Sequence, residues 1–255
     1  MNTVIMTSCL DLYEKTEAGE RIPHAFTNDN GIVDMIKSRL KKQDNFLFVA
    51  SVQDYPEATD VYANVTFESF DLTIPFKKYT ILDSRTQADA AELVREADFI
   101  FLCGGHLPTQ NKFFNNINLK GLLQNTSALI LGGSAGSMNC AETVYCPPEI
   151  DGEAADKNFQ RYLPGLGYTK TNIIPHFSKY LDLVIDDQRY YEDILLVDSH
   201  KTKMLAIEDG SYVVIENGKE TVYGKAYTIQ NGDLTTICED NQSLVLQEQV
   251  KDQVK

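Results

Sequence analysis

A serine between glycines, at residues 132–136, is the part of this sequence best suited to covalent catalysis. The letters Gly-Gly-Ser-Ala-Gly contain the spacing Gly-x-Ser-x-Gly around Ser134. Small residues here let a strand turn sharply into a helix and leave the serine exposed on a strained backbone, an arrangement called a nucleophile elbow. The following helix start would offer the N–H of Ala135 to an oxyanion. The pattern alone also fits a tight connection or an anion-binding loop, so other residues must decide.

A serine nucleophile needs a general base, usually a histidine that a third group orients. The chain has four histidines: His24, His106, His176 and His200. His176 is the predicted base, because it ends a short apolar strand that can project it towards the same sheet edge as Ser134. The histidines at 24 and 200 lie in polar or charged loops and are predicted to be ordinary exposed residues. His106 follows Gly104-Gly105 and is a candidate for contact with the substrate.

The acid that orients the base is less sharply defined by the sequence. Asp209 follows the apolar run 204–207 at a turn, from which it could reach His176. Its neighbour Glu208 would point to the opposite face of an extended segment, so only one of the two can serve. Asp-Gly is also a common hairpin turn without any catalytic role. The loop carboxylates Glu149 and Glu153 therefore stay open as alternatives to Asp209.

Alternating apolar and amphipathic stretches must position these residues. Near-continuous apolar runs predict buried strands, and apolar residues at helical spacing predict the helices between them. The strands are expected at 3–7, 45–52, 79–82, 98–103 and 128–131, and the helices at 31–42, 59–70, 87–97, 112–124 and 135–143. The alternation predicts one α/β domain over residues 1–255, with a doubly wound, mostly parallel sheet flanked by helices. Ligands of such sheets bind at the carboxyl ends of the strands.

The pattern changes after the serine. Residues 146–157 predict a surface loop near the site, and 172–174, 194–197 and 204–207 predict short strands. In the last fifty residues, the dipeptides at 209–210, 217–218 and 231–232 separate β-rich runs at 212–215, 221–223 and 234–238. Asn-Gly and Asp-Gly between such runs predict antiparallel hairpins.

Composition limits the classes of function. A net charge of -14 opposes binding to nucleic acid or to an anionic membrane, so the expected partner is a small peptide. A homodimer is compatible with the sequence. Five cysteines without a metal-ligand pair indicate neither a disulfide framework nor a zinc site, and no cofactor is expected. No apolar stretch approaches the length of a membrane span, and no basic segment followed by an apolar one opens the chain, so a cytoplasmic protein is predicted.

Three motifs in order resemble one known family. Gly-Gly-Ser-Ala-Gly-Ser at 132–137, Pro-His-Phe at 175–177 and Ile-Glu-Asp-Gly-Ser at 207–211 are similar to the peptidase E and cyanophycinase family of serine peptidases. The resemblance runs from about residue 99 to residue 214. It implies a class I glutamine amidotransferase-like fold, with Ser134 as nucleophile, His176 as base and the acid at Asp209. It also implies an oxyanion hole formed by backbone N–H groups, which are those of Gly104, Gly105 and Ala135.

The chain departs from this family around the expected substrate. Family members often follow the paired glycines with Asn-Thr, whereas this chain continues with His106 and Leu107. The loop at 146–153 also lacks the usual sequence of the aspartyl dipeptidases. Recognition of an aspartate would need a cation, and Arg161 is the only arginine between Ser134 and His176. Specificity for Asp-X dipeptides is therefore not carried over, and the candidate substrate contacts are His106, Glu149 and Arg161.

The sequence thus predicts a serine peptidase that hydrolyses dipeptides, small peptides or isopeptides through an acyl-enzyme. Two other functions stay open. An esterase of the α/β-hydrolase kind has the order Ser, acid, His, which would require His200 with Asp186 or Asp187. A degenerate relative would bind a small ligand at the serine without turnover.

Overall fold

The computed structural model describes residues 3–246, which form a mixed α/β protein with an eight-stranded sheet, a four-stranded sheet and smaller two-stranded sheets. The strands are β1 (Val4–Thr7), β2 (Tyr13–Lys15), β3 (Arg21–Pro23), β4 (Asn45–Val49), β5 (Lys78–Leu82), β6 (Phe99–Leu102), β7 (Leu129–Gly133), β8 (Thr143–Tyr145), β9 (Tyr162–Pro164), β10 (Asn172–Ile174), β11 (Val184–Ile185), β12 (Gln188–Arg189), β13 (Met204–Ile207), β14 (Tyr212–Glu216), β15 (Lys219–Tyr223), β16 (Ala226–Gln230), β17 (Asp233–Cys238) and β18 (Ser243–Leu246). The α-helices are α1 (Ile32–Arg39), α2 (Pro56–Thr73), α3 (Ala90–Glu96), α4 (Leu107–Asn116), α5 (Leu119–Leu123), α6 (Ala135–Met138), α7 (Phe177–Tyr180) and α8 (Leu196–Asp198).

The main sheet has the strand order β18-β15-β14-β1-β7-β6-β4-β5. The strands from β1 to β5 in that order pair in parallel, and β14, β15 and β18 extend the sheet in antiparallel fashion. Alternate residues of the parallel strands enter different cores: Ile100 packs with α3, α4 and α5, whereas Phe99 packs with α1 and α2. Helices therefore cover both faces, which explains why these strands are near-continuous apolar runs.

The second sheet has the order β10-β13-β16-β17 and joins the main sheet through a common core. β10 and β13 are parallel, and the remaining pairs are antiparallel. Ile173 and Leu205 belong to the same buried cluster as Val4 and Met6 of β1, while Ile174 and Met204 face a separate cluster on the other side. This packing brings the carboxyl ends of β10 and β13 beside the carboxyl end of β1.

Two of the three predicted turn dipeptides join antiparallel neighbours. Asn217-Gly218 connects β14 to β15, and Asn231-Gly232 connects β16 to β17. The third, Asp209-Gly210, makes no hairpin: it carries the chain from β13 of the second sheet to β14 of the main sheet. An Asp-Gly pair permits a turn through the positive φ of its glycine, but it does not decide which sheet the next strand joins.

Several predicted elements differ from the structure. The strand predicted at 194–197 is wrong, because a π-helical turn at Tyr190–Leu195 continues into α8. Its buried residues are Tyr190, Ile194 and Leu195, a helical spacing that a four-residue window does not reveal. The helix predicted at 112–124 is divided into α4 and α5 at Asn118, whose φ is 52°. The helix expected at 135–143 already ends at Met138.

Candidate active site

Ser134 lies between the end of β7 and the start of α6, in a conformation unusual for a residue with a side chain. Its φ is 48° and its ψ is -115°, so the backbone there is strained. The carbonyls of Thr7 and Ser8 accept its N–H at 3.1 and 3.0 Å, which fastens the turn to the end of β1. A Cβ at Gly136 would overlap the Leu102 carbonyl, so α6 can pack against β6 only with glycine at this position.

Three backbone N–H groups in the loop after β6 and at the start of α6 have no hydrogen-bond partner among residues 3–246. A Cβ placed on Gly104 would lie 3.2 Å from Ser134 Cβ, so the loop after β6 touches the serine. Outside helices and strands, no backbone hydrogen bond within residues 3–246 uses the N–H of Gly104, Gly105 or Ala135 as donor. These are the residues that the family resemblance implies for an oxyanion hole.

His176 and Asp209 leave neighbouring parallel strands of the second sheet and meet just beyond its edge. His176 follows β10 after one proline, and Asp209 follows β13 after Glu208. His176 Nδ1 lies 2.6 Å from Asp209 Oδ1. Lys179 Nζ lies 2.7 Å from Asp209 Oδ2, and the Ser8 hydroxyl donates to Asp209 Oδ1 at 2.7 Å. The carboxylate that holds the imidazole thus also has contacts with two further donors, Ser8 and Lys179.

The charge of Asp209 follows from these contacts. Burial raises the pKa of the Asp209 carboxyl, but the hydrogen bonds from His176 and Lys179 outweigh burial and hold the pKa well below its ordinary value. The group is therefore an anion at neutral pH. An anion beside Nδ1 keeps the proton on that nitrogen and leaves the lone pair on Nε2, which is the tautomer that a general base requires.

Glu208, the neighbouring carboxylate, has a different partner. Its two oxygens accept the backbone N–H and the hydroxyl of Ser178, at 3.1 and 2.6 Å. Glu208 therefore holds the start of α7, the helix that begins directly after His176. The opposite directions of Glu208 and Asp209 agree with their places in an extended segment.

A cavity of about 350 Å³ opens beside Ser134. It is lined by Gly105, His106, Ser134, Glu149, Ile150, Tyr180, Leu183 and Tyr190. Within the described chain, no hydrogen bond engages the Ser134 hydroxyl, so the hydroxyl is free to meet a ligand. The Tyr180 ring lies edge-on to the His176 ring at 6.5 Å, which places the cavity next to the base as well as the serine.

Carboxylates hold the loop that contains Glu149 to the segment that follows Gly104 and Gly105. Glu149 accepts the N–H of Leu107 at 3.0 Å, and Glu153 accepts the N–H of Glu149 at 2.7 Å. His106 Nε2 lies 2.8 Å from Glu153 Oε1. Burial raises the pKa of the Glu149 carboxyl. Neither glutamate hydrogen-bonds to His176, and the carboxylate that does so is Asp209.

Arg161 is not positioned as the sequence predicted. Its guanidinium donates to Asp198 at 3.2 Å and lies over the Phe159 ring, and the residue is absent from the cavity lining. Asp198 also accepts the Tyr145 hydroxyl at 2.7 Å, so the arginine balances a partly buried carboxylate. Arg161 is therefore paired with Asp198 and does not supply the cation that recognition of a substrate carboxylate would need.

Among the described residues, the acid and histidine of the esterase alternative do not form a pair either. Asp186 accepts the backbone N–H groups of Gly152, Ala154 and Ala155 and so anchors the loop beside the cavity. In the part of the chain that the structure describes, no hydrogen bond or ion pair joins His200 to Asp186 or Asp187.

Two residues of the site were not predicted, Ser8 and Lys179. Ser8 follows β1, next to the strand that carries Ser134, so the rule that ligands bind at the ends of parallel strands could have included it. Lys179 lies one helical turn after His176, a spacing that brings side chains together. Among residues 3–246 no group of three or more His, Cys, Asp and Glu could hold a metal ion, and no helix is long and apolar enough to cross a membrane.

Comparison with known proteins gives a match to a family model and matches to solved structures. Residues 22–223 match the model of peptidase family S51. A solved structure from Listeria monocytogenes EGD-e, provisionally named a peptidase E protein, superposes with a TM-score of 0.60 over 87% of this chain and 98% of that chain. The two sequences are 14% identical, so this likeness shows the fold. No curated protein matches the chain by sequence.

Proposed function

This chain belongs to peptidase family S51 and is a serine-type peptidase, and on that premise we propose that it hydrolyses short peptides through an acyl-enzyme on Ser134. The observation that carries the proposal is the 2.6 Å contact between His176 Nδ1 and the anionic Asp209, which Ser8 links by hydrogen bonds to the strained Ser134. We also group the fold with the class I glutamine amidotransferase domains.

In the proposed reaction, His176 Nε2 takes the Ser134 proton as Oγ attacks the peptide carbonyl carbon. The carbonyl π electrons move to oxygen, and the N–H groups of Gly104, Gly105 and Ala135 are the donors for that oxyanion. The tetrahedral centre then breaks its C–N bond, and His176 gives its proton to the leaving amine. A water, deprotonated by His176, attacks the ester, and the serine leaves with that proton. Asp209 stabilises the imidazolium in both halves.

The cavity suits a small and positively charged substrate. Its volume of about 350 Å³ lies at the lower end for small-molecule sites, which favours dipeptides and isopeptides over folded proteins. Among residues 3–246, Glu149 is the acidic residue that lines it, and neither Lys nor Arg does so. A carboxylate in a partly apolar cavity attracts an ammonium or guanidinium group and repels an aspartate. We therefore expect cleavage of Lys-X or Arg-X in preference to Asp-X.

Active-site labelling tests the proposed nucleophile. A fluorophosphonate probe should label the wild-type protein on Ser134 and leave Ser134→Ala unlabelled. Absence of labelling and of hydrolysis across a panel of short peptides would instead favour the degenerate ligand-binding relative.

Matched dipeptides test the proposed preference. Lys-X and Asp-X with the same X should differ by about tenfold or more in kcat/KM, which corresponds to about 1.4 kcal/mol. Glu149→Gln should raise KM for Lys-X by about three- to tenfold with little change in kcat, because it removes charge recognition. Glu142→Gln, at an exposed residue, is the control. Equal kinetics of both dipeptides with the wild type would contradict the charge preference and leave the peptidase assignment intact.

A further inference from the structure

Ser8 contacts all three members of the proposed triad. Its carbonyl accepts the Ser134 N–H at 3.0 Å. Its hydroxyl accepts the backbone N–H of His176 at 2.7 Å and donates to Asp209 Oδ1 at 2.7 Å. Its side chain is fully buried, and its own N–H donates to the Ser211 carbonyl at 3.2 Å. We propose that Ser8 is a positioning residue that holds base and acid in register with the nucleophile.

A hydroxyl fits this place because it accepts and donates at once. Asp209 Oδ1 takes one hydrogen bond from His176 Nδ1 and one from Ser8 Oγ, while Oδ2 faces Lys179. The carboxylate therefore cannot rotate without breaking a charge-assisted hydrogen bond. His176 has a φ of 55°, and the Ser8 hydroxyl holds its N–H in that uncommon conformation.

Ser8 lies where it can connect the two sheets that carry different members of the proposed triad. Ser134 is carried by the main sheet, whereas His176 and Asp209 are carried by the second sheet. Ser8 follows β1, which pairs with β7 on one side, and its hydroxyl reaches the ends of β10 and β13. A small shift between the two sheets would separate base from nucleophile, and misplacement by about 1 Å can cost about 100-fold in rate. The Ser8 hydroxyl opposes that shift.

This inference rests on the proposed function, and Ser8→Ala tests it against a matched control. Ser211→Ala removes another fully buried hydroxyl nearby, one that has no hydrogen-bond partner in the described chain. With the short peptide that the wild type cleaves best, Ser8→Ala should lower kcat by about 10- to 100-fold and change KM by less than about twofold. Ser211→Ala should stay within about twofold of wild type in both constants.

The pH profile separates positioning from a loss of stability. Without the Ser8 hydroxyl, Asp209 Oδ1 has one donor fewer and stabilises the imidazolium more strongly. The acidic limb of kcat/KM should therefore move to higher pH in Ser8→Ala and stay in place in Ser211→Ala. The other groups that face this pair are unchanged in both variants; they are Cys9, Glu149, Lys179 and Tyr180.

A double-mutant cycle tests whether Ser8 acts through the acid. In an Asp209→Asn background, Ser8→Ala should lower kcat by less than about threefold, because the carboxylate that it orients is already gone. If Ser8→Ala does not fold, Ser8→Cys keeps the size of the side chain with a weak donor and should show the same loss of kcat. Full additivity in the cycle, or a Ser8 variant with wild-type kcat and pH profile, would overturn the inference.

A readout without substrate distinguishes this inference from the proposed function. The proton between His176 Nδ1 and Asp209 should give a downfield NMR signal in wild type and Ser211→Ala, and that signal should weaken or move upfield in Ser8→Ala. If no peptide is hydrolysed but the signal depends on Ser8, the proposed function fails and the positioning role stands. If peptides are hydrolysed and the signal is indifferent to Ser8, the positioning role is wrong.

Discussion

The two halves of the site are held by different forces. The half that carries Ser134 is built by close packing: Ala135, Gly136 and Ser137 are buried, and backbone atoms meet where side chains would not fit. The half that carries His176 and Asp209 is built by charge and hydrogen bonds, and the Asp209 side chain is 37% exposed. Changes in side-chain volume should therefore destabilise the first half, whereas changes in charge should lower the activity of the second half with little change in stability.

The largest effect on activity is expected from Ser134→Ala. The variant removes the proposed nucleophile, so kcat should fall by about 10⁴-fold or more. The free energy of unfolding should stay within about 1 kcal/mol of wild type, because the hydroxyl has no hydrogen-bond partner among the residues that the structure describes. Peptide hydrolysis and urea denaturation check both expectations.

Ser137→Ala is the matched control for that comparison. The Ser137 hydroxyl is buried and lies 2.8 Å from the Thr7 carbonyl and 2.7 Å from the Gly132 carbonyl. Its loss should cost about 1–3 kcal/mol in stability and leave kcat nearly unchanged. Turnover by Ser134→Ala would contradict the assignment of the nucleophile.

Asp209→Asn is expected to give the next largest loss of activity. An amide can hold His176 in the wrong tautomer and cannot stabilise the imidazolium, so kcat should fall by about 10²- to 10⁴-fold. Glu208→Gln is the matched control, since it alters the adjacent carboxylate at the start of α7 and should change kcat by less than about threefold. Steady-state kinetics decides: near-wild-type turnover by Asp209→Asn would mean that another carboxylate orients the base.

Gly136→Ala should give the largest loss of stability in the packed half. The new Cβ would overlap the Leu102 carbonyl, and backbone on both sides resists movement, so we expect a loss of about 3 kcal/mol or more. Gly133→Ala is the matched control, because its Cβ would lie 3.4 Å from the Phe101 ring and should cost less than about 1 kcal/mol. Urea denaturation that ranks the two variants equally would contradict the packing argument.

The parallel part of the fold was predictable because each element carries its own pattern. The buried strands around β4, β6 and β7 are apolar runs, and the turn at Ser134 needs small residues in a short window. The second sheet was not assembled from the sequence, since β10 has only three residues and pairs with β13, some thirty positions later. Such pairing depends on tertiary packing, which local periodicity does not contain.

In the site, too, local patterns were predictable from the sequence and tertiary contacts were not. Residue type and spacing predict Ser134 and His176, and in the structure His176 lies beside Asp209, the acid that the resemblance implies. The sequence favours Arg161 as the only arginine between Ser134 and His176, but charge alone does not reveal that Asp198 already binds it. The sequence does not indicate Ser8, because its role depends on contact with residues about 130 to 200 positions away.

The smallest expected effect is on the pH dependence of stability, and it follows from the depressed pKa of Asp209. A carboxyl whose pKa is lower in the folded than in the unfolded chain stabilises the fold above the unfolded value, which is about 3.9 for Asp. That contribution is lost as pH falls from about 4 towards the lower folded pKa, because the folded chain must then take up a proton that weakens its hydrogen bonds.

Asp209→Asn cannot titrate, so its free energy of unfolding should decline less steeply than that of wild type between about pH 4 and pH 2. Urea denaturation at several pH values in that range measures the two slopes. Because the side chain is 37% exposed, water screens the pair and the difference in slope should be modest. Equal slopes at low pH would show that the contacts of Asp209 with His176 and Lys179 do not stabilise the fold, and the comparison between a packed half and a charged half would then fail on its charged side.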